Sequence, residues 1–416
     1  MLQNEATFKN SRALSLGKIP ENFQWGEGCE KKLYQISSRV SDGKETVETL
    51  MDQLGSLEVP SLKSYGAYLI LDSRLEGLTE SLSGLQLLQR HIRDLPVGLR
   101  PYFQGIIHYN LTRHAAGEEA KENMRLAYEN FELARSSCYE FLNANWFVRD
   151  SSIRGVNAGT SYETAASLLD WSFSGNASFC DVVEKTPDCV PASSRAHIVG
   201  CDQGYFDRYF EEFYKDFKAS GAIGDIVVLL ADVSDVSEVS SKYTDVRFFT
   251  ASLNVKDKKS MYTALRFEMA KKLIQEGVYK QIVCSDVDVK FRENYNSSVS
   301  AIKADIGIMF NKAARIPWRG GADAKFVVLN PELGGGAAKV VKFVSALVSH
   351  AYRPKLTALG NRQWWMDQFA LALAVDGSRF GIDSFVDVSV HHIERSDSPI
   401  VSAGMMGLSK EEFFKS

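Results

Sequence analysis

Two aspartates one residue apart, Asp286 and Asp288, close the apolar run Tyr279-Lys-Gln-Ile-Val-Cys-Ser-Asp-Val-Asp-Val-Lys-Phe291. Side chains of a strand alternate between faces, so both carboxylates are expected to point the same way. In an open α/β sheet the ligand crevice lies beyond the carboxyl ends of the strands. Two hard oxygen donors there suit a Mg²⁺ or Mn²⁺ that holds a diphosphate, as in a nucleotide-sugar site. The same triplet also occurs as a solvated turn, so the surrounding elements have to decide.

Those elements follow an α/β rhythm after residue 194. Short apolar runs predict strands at 196–201, 225–230, 246–250, 281–285, 305–310, 325–329 and 384–390. Amphipathic patterns between them predict helices at 204–219, 260–276, 337–351 and 362–375. This alternation implies a largely parallel sheet covered by helices, with the ligand crevice above the strand ends.

The first 150 residues read as all-helical. Leu71, Leu75, Leu78, Leu82, Leu85, Leu88, Ile92 and Leu95 predict a continuous apolar stripe on one helix. The stripe fits intramolecular packing or a self-associating seam. Gly77, Gly84 and a slip in register near Leu85 favour the former. Residues 102–111 and 117–142 resemble a tetratricopeptide-type hairpin, with no repeat at a fixed period. The expected organisation is a helical domain over 1–150, a connecting region over 151–194 rich in Gly, Ser and Pro, and a catalytic domain over 195–416.

A net charge of −4 gives no reason to expect nucleic acid as a partner. No apolar run reaches the length of a bilayer span, and residues 1–22 lack the apolar core of a signal peptide, so a cytoplasmic location is expected. The six cysteines show no C-x-x-C spacing. Cys180 and Cys189 would pair only in an oxidising compartment, and the sequons at Asn110, Asn176 and Asn296 are expected to be chance.

Taken together, Tyr262-x-x-x-Arg266, the following strand, Asp286-Val-Asp288, Asp367-Gln368 and Val390-His391-His392-Ile393 resemble the GT-A glycosyltransferases. The glycogenin and lipopolysaccharide-galactosyltransferase group is the nearest in pattern. The resemblance covers roughly the C-terminal half. It implies a GT-A fold, Rossmann-like with a mostly parallel sheet, after an all-α domain.

Residue by residue, the resemblance implies that Cys201, Asp202 and Gln203 hold the base and ribose of a donor, and that Tyr262 and Arg266 face nucleotide or sugar. It assigns Asp288 to the metal, Asp286 to the metal or ribose, and Gly320-Gly321 to a loop under the donor sugar, with Gly334-Gly335-Gly336 as a competing candidate. It gives Asp367 and Gln368 the acceptor side, aided by Trp364 and Trp365, and a histidine as third metal ligand, His391 in preference to His392. Residues 394–399 lack the Gly and Lys-Pro-Trp that accompany this histidine in the glycogenin group.

The residues alone also allow a surface ion pair of Arg266 with Glu268 or Asp286, and a dipole-favoured position for Asp367 at a helix start. The expected function is transfer of a sugar from a nucleotide-sugar, a UDP-sugar above all, to a glycan, lipid or protein. The alternatives are a nucleotidyltransferase that makes nucleotide-sugars and a non-enzymatic helical adaptor. The helical domain would bind the acceptor, a partner protein or a second copy.

Overall fold

A computed structural model describes residues 45–56, 60–137, 156, 158–174, 178–253, 261–311, 314–351 and 366–415. Cys29, Cys138, Asn176, Trp364 and Trp365 lie outside the described residues. The chain forms two compact units, Met1–Ser161 and Tyr162–Ser416. No helix among the described residues is long and apolar enough to cross a membrane.

The described part of the first unit is helical: α1 (Val47–Gly55), α2 (Pro60–Leu78), α3 (Leu82–His91), α4 (Arg100–Leu111) and α5 (Gly117–Ser137). The leucine stripe expected on one helix is divided between α2 and α3. The Thr79 hydroxyl turns back on the Leu75 carbonyl at 2.9 Å, and Ser81 caps the new helix by accepting from the Gly84 amide at 3.1 Å. Those local side-chain bonds compete with helix continuation and win here. Leu71, Leu75, Leu78, Leu85 and Leu88 stay buried, but Leu82 is exposed. The hairpin of α4 and α5 closes tightly at Gly105, where an added Cβ would lie 2.4 Å from the Phe131 ring.

The second unit is mixed α/β. Its sheet holds β1 (Val182–Glu184), β2 (Arg195–Asp202), β3 (Asp225–Ala231), β4 (Val246–Ala251), β5 (Gln281–Ser285), β7 (Ile306–Phe310), β8 (Ala322–Leu329) and β9 (Val390–His392), while β6 (Val289–Phe291) lies outside it. The order is β1-β4-β3-β2-β5-β8-β7-β9. Strands β2 to β5 are mutually parallel, β8 runs against both β5 and β7, and β9 is parallel to β7. Chain order therefore steps outward from β2 to β3 and β4, then restarts on the other side with β5. The β2/β5 boundary is a topological switch point.

Helices cover both faces. On one, α7 (Gln203–Ala219) sets Phe206, Phe210, Phe213 and Phe217 against Val199, Val228 and Val283. On the other lie α9 (Leu265–Glu276), α11 (Gly336–Ala351) and α12 (Met366–Arg379). The connecting region contributes to this unit: α6 (Tyr162–Phe173) bonds α12 through Tyr162 Oη to the Leu373 carbonyl at 3.3 Å, and β1 pairs with β4. Short helices α8 (Ser237–Lys242) and α10 (Tyr295–Ala301) fill connections. A ribbon of β6 with β10 (Ile400–Ser402) leads into α13 (Ala403–Met406) and α14 (Lys410–Lys415).

The strand expected over 384–390 is absent except at its last residue. Asp387 lies in a turn and Ser389 just ahead of β9, their side chains bonding Lys339 Nζ at 2.5 Å and the Asp305 carboxylate at 2.6 Å. They share no strand face with His391. Cys180, Cys189, Cys201 and Cys284 are free thiols.

One close approach sets the site's geometry. Gly200, in the middle of β2, would place a Cβ 2.8 Å from Leu265 Cβ and 2.9 Å from the Arg266 amide. The first turn of α9 can rest on the strand only because no side chain intervenes. Gly200→Ala should therefore destabilise the unit by about 1–3 kcal/mol, where Ala for Gly in a strand would otherwise stabilise. A denaturant midpoint at or above the parent's would refute this close packing.

Candidate active site

The parallel strands deliver their carboxyl ends to one edge, and antiparallel β8 delivers its amino end there. A cleft of about 1320 Å³ opens at that edge, lined among others by Asp286, Asp288, Phe310, Asp323, Asp367 and His392. Asp286 and Asp288 lie between β5 and β6 rather than within a strand, because the chain leaves the ladder after Ser285. Both nevertheless face the cleft.

Below them runs a buried polar chain. His197 Nδ1 is 2.7 Å from Tyr295 Oη, its Nε2 is 2.7 Å from Ser285 Oγ, and Ser285 donates onward to the Asp286 carbonyl at 2.9 Å. With the Ser285 proton so directed, Nε2–H donates to Ser285 and Nδ1 accepts from Tyr295. Burial, aided by Arg195, holds the imidazole pKa down at about 3, so His197 is neutral. A satisfied neutral network fixes the backbone at the start of the acidic loop.

Arg266 is the centre of the site. It is 3% exposed, donates from Nη1 to Asp286 Oδ1 at 2.7 Å and from Nη2 to Asp367 Oδ2 at 3.1 Å. It does not pair with Glu268. That buried carboxylate is held instead by Ser178, Ser345 and Lys271. Burial opposes the Arg266 charge, but Asp286 and Asp367 outweigh it and its pKa is raised. Asp367 is itself buried, and burial pushes its carboxyl up to about 6 against the pull of Arg266. Gln368 follows it into the cleft, and its backbone N–H donates to Asp367 Oδ1 at 2.9 Å.

Asp288 has a partner the sequence did not suggest, the Lys410 ammonium of α14, which also contacts Tyr205 Oη. Burial and then Asp286 raise the Asp288 pKa, with Lys410 opposing them. No local motif marks Lys410; it lies more than a hundred residues downstream and arrives through the β6–β10 ribbon. Lys325 and Arg395 also line the cleft and were likewise not anticipated.

The remaining expected residues divide. His392 lines the cleft, its ring 4.2 Å from that of Phe310, while His391 is exposed on the alternate side of β9. Asp202 caps α7 through the Tyr205 amide at 2.7 Å, Gln203 bonds Asp207 at 2.6 Å, and Cys201 is buried in β2. Tyr262 lies near Asp232 and Asp202, with its phenol pKa raised by burial first. None of these four is among the cleft-lining side chains. Gly321 offers its carbonyl to the Asn311 amide at 2.9 Å, and with Gly320 it forms the turn before Ala322 and Asp323, which do line the cleft. Gly334 and Gly336 approach Asp305 instead.

The metal expected on Asp286 and Asp288 would have to compete for its donors. Each of the two carboxylates already carries a cationic side chain. Among the described residues, no three His, Cys, Asp or Glu side chains form a group that could hold a metal ion. The described donors do not fit a metal centre.

Removing the guanidinium would strand Asp367 as a buried charge. Arg266→Met should cost about 3–5 kcal/mol at pH 7.5. Without the cation the folded-state pKa of Asp367 moves further above its unfolded value of about 3.9, so the folded state binds the extra proton and the penalty shrinks as pH falls. Denaturant midpoints at pH 7.5 and 5.5 check this; a penalty equal at both would show that Asp367 is not the stranded charge.

No family model and no curated protein matches the chain. Among solved structures, it is similar over 48% of its length to the crystal structure of the glycosyltransferase GlyE of Streptococcus pneumoniae TIGR4, at 13% identity and a TM-score of 0.26. The overlap takes in 54% of that protein, about half of it, and a likeness at that TM-score decides nothing about function.

Proposed function

We propose that the second unit is a glycosyltransferase of the GT-A kind, which moves a sugar from a nucleotide-sugar, a UDP-sugar first among candidates, to a hydroxyl of a glycan, lipid or protein. The observation that carries this reading is the acidic loop after β5, placed at the switch point and opening with Arg266, Lys410 and Asp367 into one large cleft. A nucleoside diphosphate needs cations at its phosphates, and a transferred sugar needs a base for the incoming hydroxyl.

In this reading the bond between the sugar carbon and the diphosphate oxygen breaks, and the electron pair leaves with the diphosphate. The sugar carbon takes on positive charge in an oxocarbenium-like transition state, which the carboxylates of the cleft stabilise. The acceptor oxygen bonds to that carbon, and its proton passes to Asp367. With its carboxyl raised to about 6, Asp367 is a stronger base than an ordinary aspartate and still mostly ionised at neutral pH. Arg266 keeps it oriented.

Nucleoside diphosphates and nucleotide-sugars are to be screened by thermal denaturation. One base should raise the midpoint, by about 2.7 kcal/mol of stabilisation at a hundredfold excess over Kd. Asp367→Asn should keep that shift while losing about 10²-fold or more in turnover of the donor, and parent turnover should rise with pH through about 6. A chain that no nucleotide stabilises would favour the adaptor alternative.

A further inference from the structure

We propose that Lys410 supplies the positive charge that holds the donor's diphosphate, in the place where the related transferases are expected to use a divalent ion, so that this chain binds its donor without metal. The proposal rests on the reading given under Proposed function and names a binding residue within it.

Three features of the structure support it. The ammonium of Lys410 sits on Asp288 itself, the carboxylate assigned to the metal by resemblance. A divalent ion would have to expel Lys410 from Asp288 and then share the cleft with it, and Asp286 is already held by Arg266 at 2.7 Å. An ammonium has three donors. Asp288 and Tyr205 account for two, and the Lys410 side chain remains 44% exposed at the cleft wall, so a phosphate oxygen can take the third.

Second, the position of Lys410 is built rather than incidental. In the β6–β10 ribbon Ser402 pairs with Val289, the residue after Asp288, so the segment beyond it must start beside the acidic loop. Gly407, at φ 70, ends α13 and turns the chain into α14. Phe413 is buried against Lys290, and Phe414 packs on Tyr209 with ring centroids 5.2 Å apart. The ammonium lies 4.7 Å from the Tyr205 ring centre and 5.7 Å from that of Tyr209, so two aromatic faces share its charge.

Third, Lys410 does not face the cleft as a lone cation. Lysine is a compact point charge that serves phosphates without bidentate geometry. Lys325 on β8 faces the same cleft and adds a second cation.

The test is calorimetric titration of the full chain with uridine, guanosine, adenosine and cytidine diphosphates, each in EDTA and in Mn²⁺. The parent, Lys410→Met and Lys410→Arg would be compared, with thermal midpoints of all three. The proposal expects one diphosphate to bind the parent with Kd values within twofold in the two buffers. It also expects Lys410→Met to weaken that binding about tenfold or more in EDTA, and Lys410→Arg to retain most of it. Binding by the parent only in Mn²⁺ would overturn it and leave the proposed function standing. So would undiminished binding by a folded Lys410→Met chain in EDTA. If Lys410→Met does not fold, the parent's two buffers decide the metal question and Lys410→Arg decides the residue's part. Binding of no diphosphate in either buffer would sink the proposed function itself and this inference with it.

Discussion

A guanidinium taken almost wholly out of water has few stable solutions, and Arg266 has one: two carboxylates from different parts of the chain, 2.7 and 3.1 Å away. Moving an ion of this size into the interior costs several kcal/mol, and without the guanidinium the buried Asp367 would be left an uncompensated charge. That requirement ties α9 to the acidic loop and to the start of α12. It also explains the demand on β2, where only a glycine lets the first turn of α9 lie so close to the sheet. The cleft's acidic wall is in this sense held from behind by a cation.

The polar chain through His197 works on the same loop by different physics. It carries no net charge and lies among Phe213, Phe217 and Phe291, whose rings pack around the imidazole at 5.2 to 5.5 Å. Its hydrogen bonds are few but all satisfied, which is the condition for a buried polar network to add order rather than cost. The ionic and the neutral anchors thus reach the acidic loop from the two faces of the sheet, with Arg266 on the α9 side and His197 on the α7 side.

Much of the second unit was legible in the sequence, because strands buried on both faces write themselves as apolar runs. The runs at 196–201, 225–230, 246–250, 281–285 and 325–329 correspond to β2, β3, β4, β5 and β8 with small shifts at their ends. The run over 384–390 misled because its apolar residues Phe385 and Val388 are buried outside any strand, while the side chains of Asp387 and Ser389 bond Lys339 and Asp305. The leucine stripe misled for a related reason: periodicity records which face is buried, not whether a serine and a threonine have interrupted the helix between two turns of it. Asp286 and Asp288 are marked by their spacing, and Arg266, Asp367 and His392 by the resemblance, which prefers His391; the five line one cleft and His391 does not. Lys410 is marked by neither, since no spacing rule connects a lysine near residue 410 with an aspartate at 288, and only strand pairing brings them together.

The long reach between the partners of Arg266 has a consequence for how the unit comes into being. Asp286 follows Arg266 by 20 residues, but Asp367 follows it by 101. At about 5–20 residues per second, a ribosome leaves an interval of several seconds between the two carboxylates. By then β2, β3 and β4, which pair with one another as neighbouring parallel strands, have left it. Only after α12 emerges can the guanidinium find its second partner, and only after β10 can the lysine reach the loop. A nascent chain therefore lacks the complete cleft until α12 and α14 have emerged.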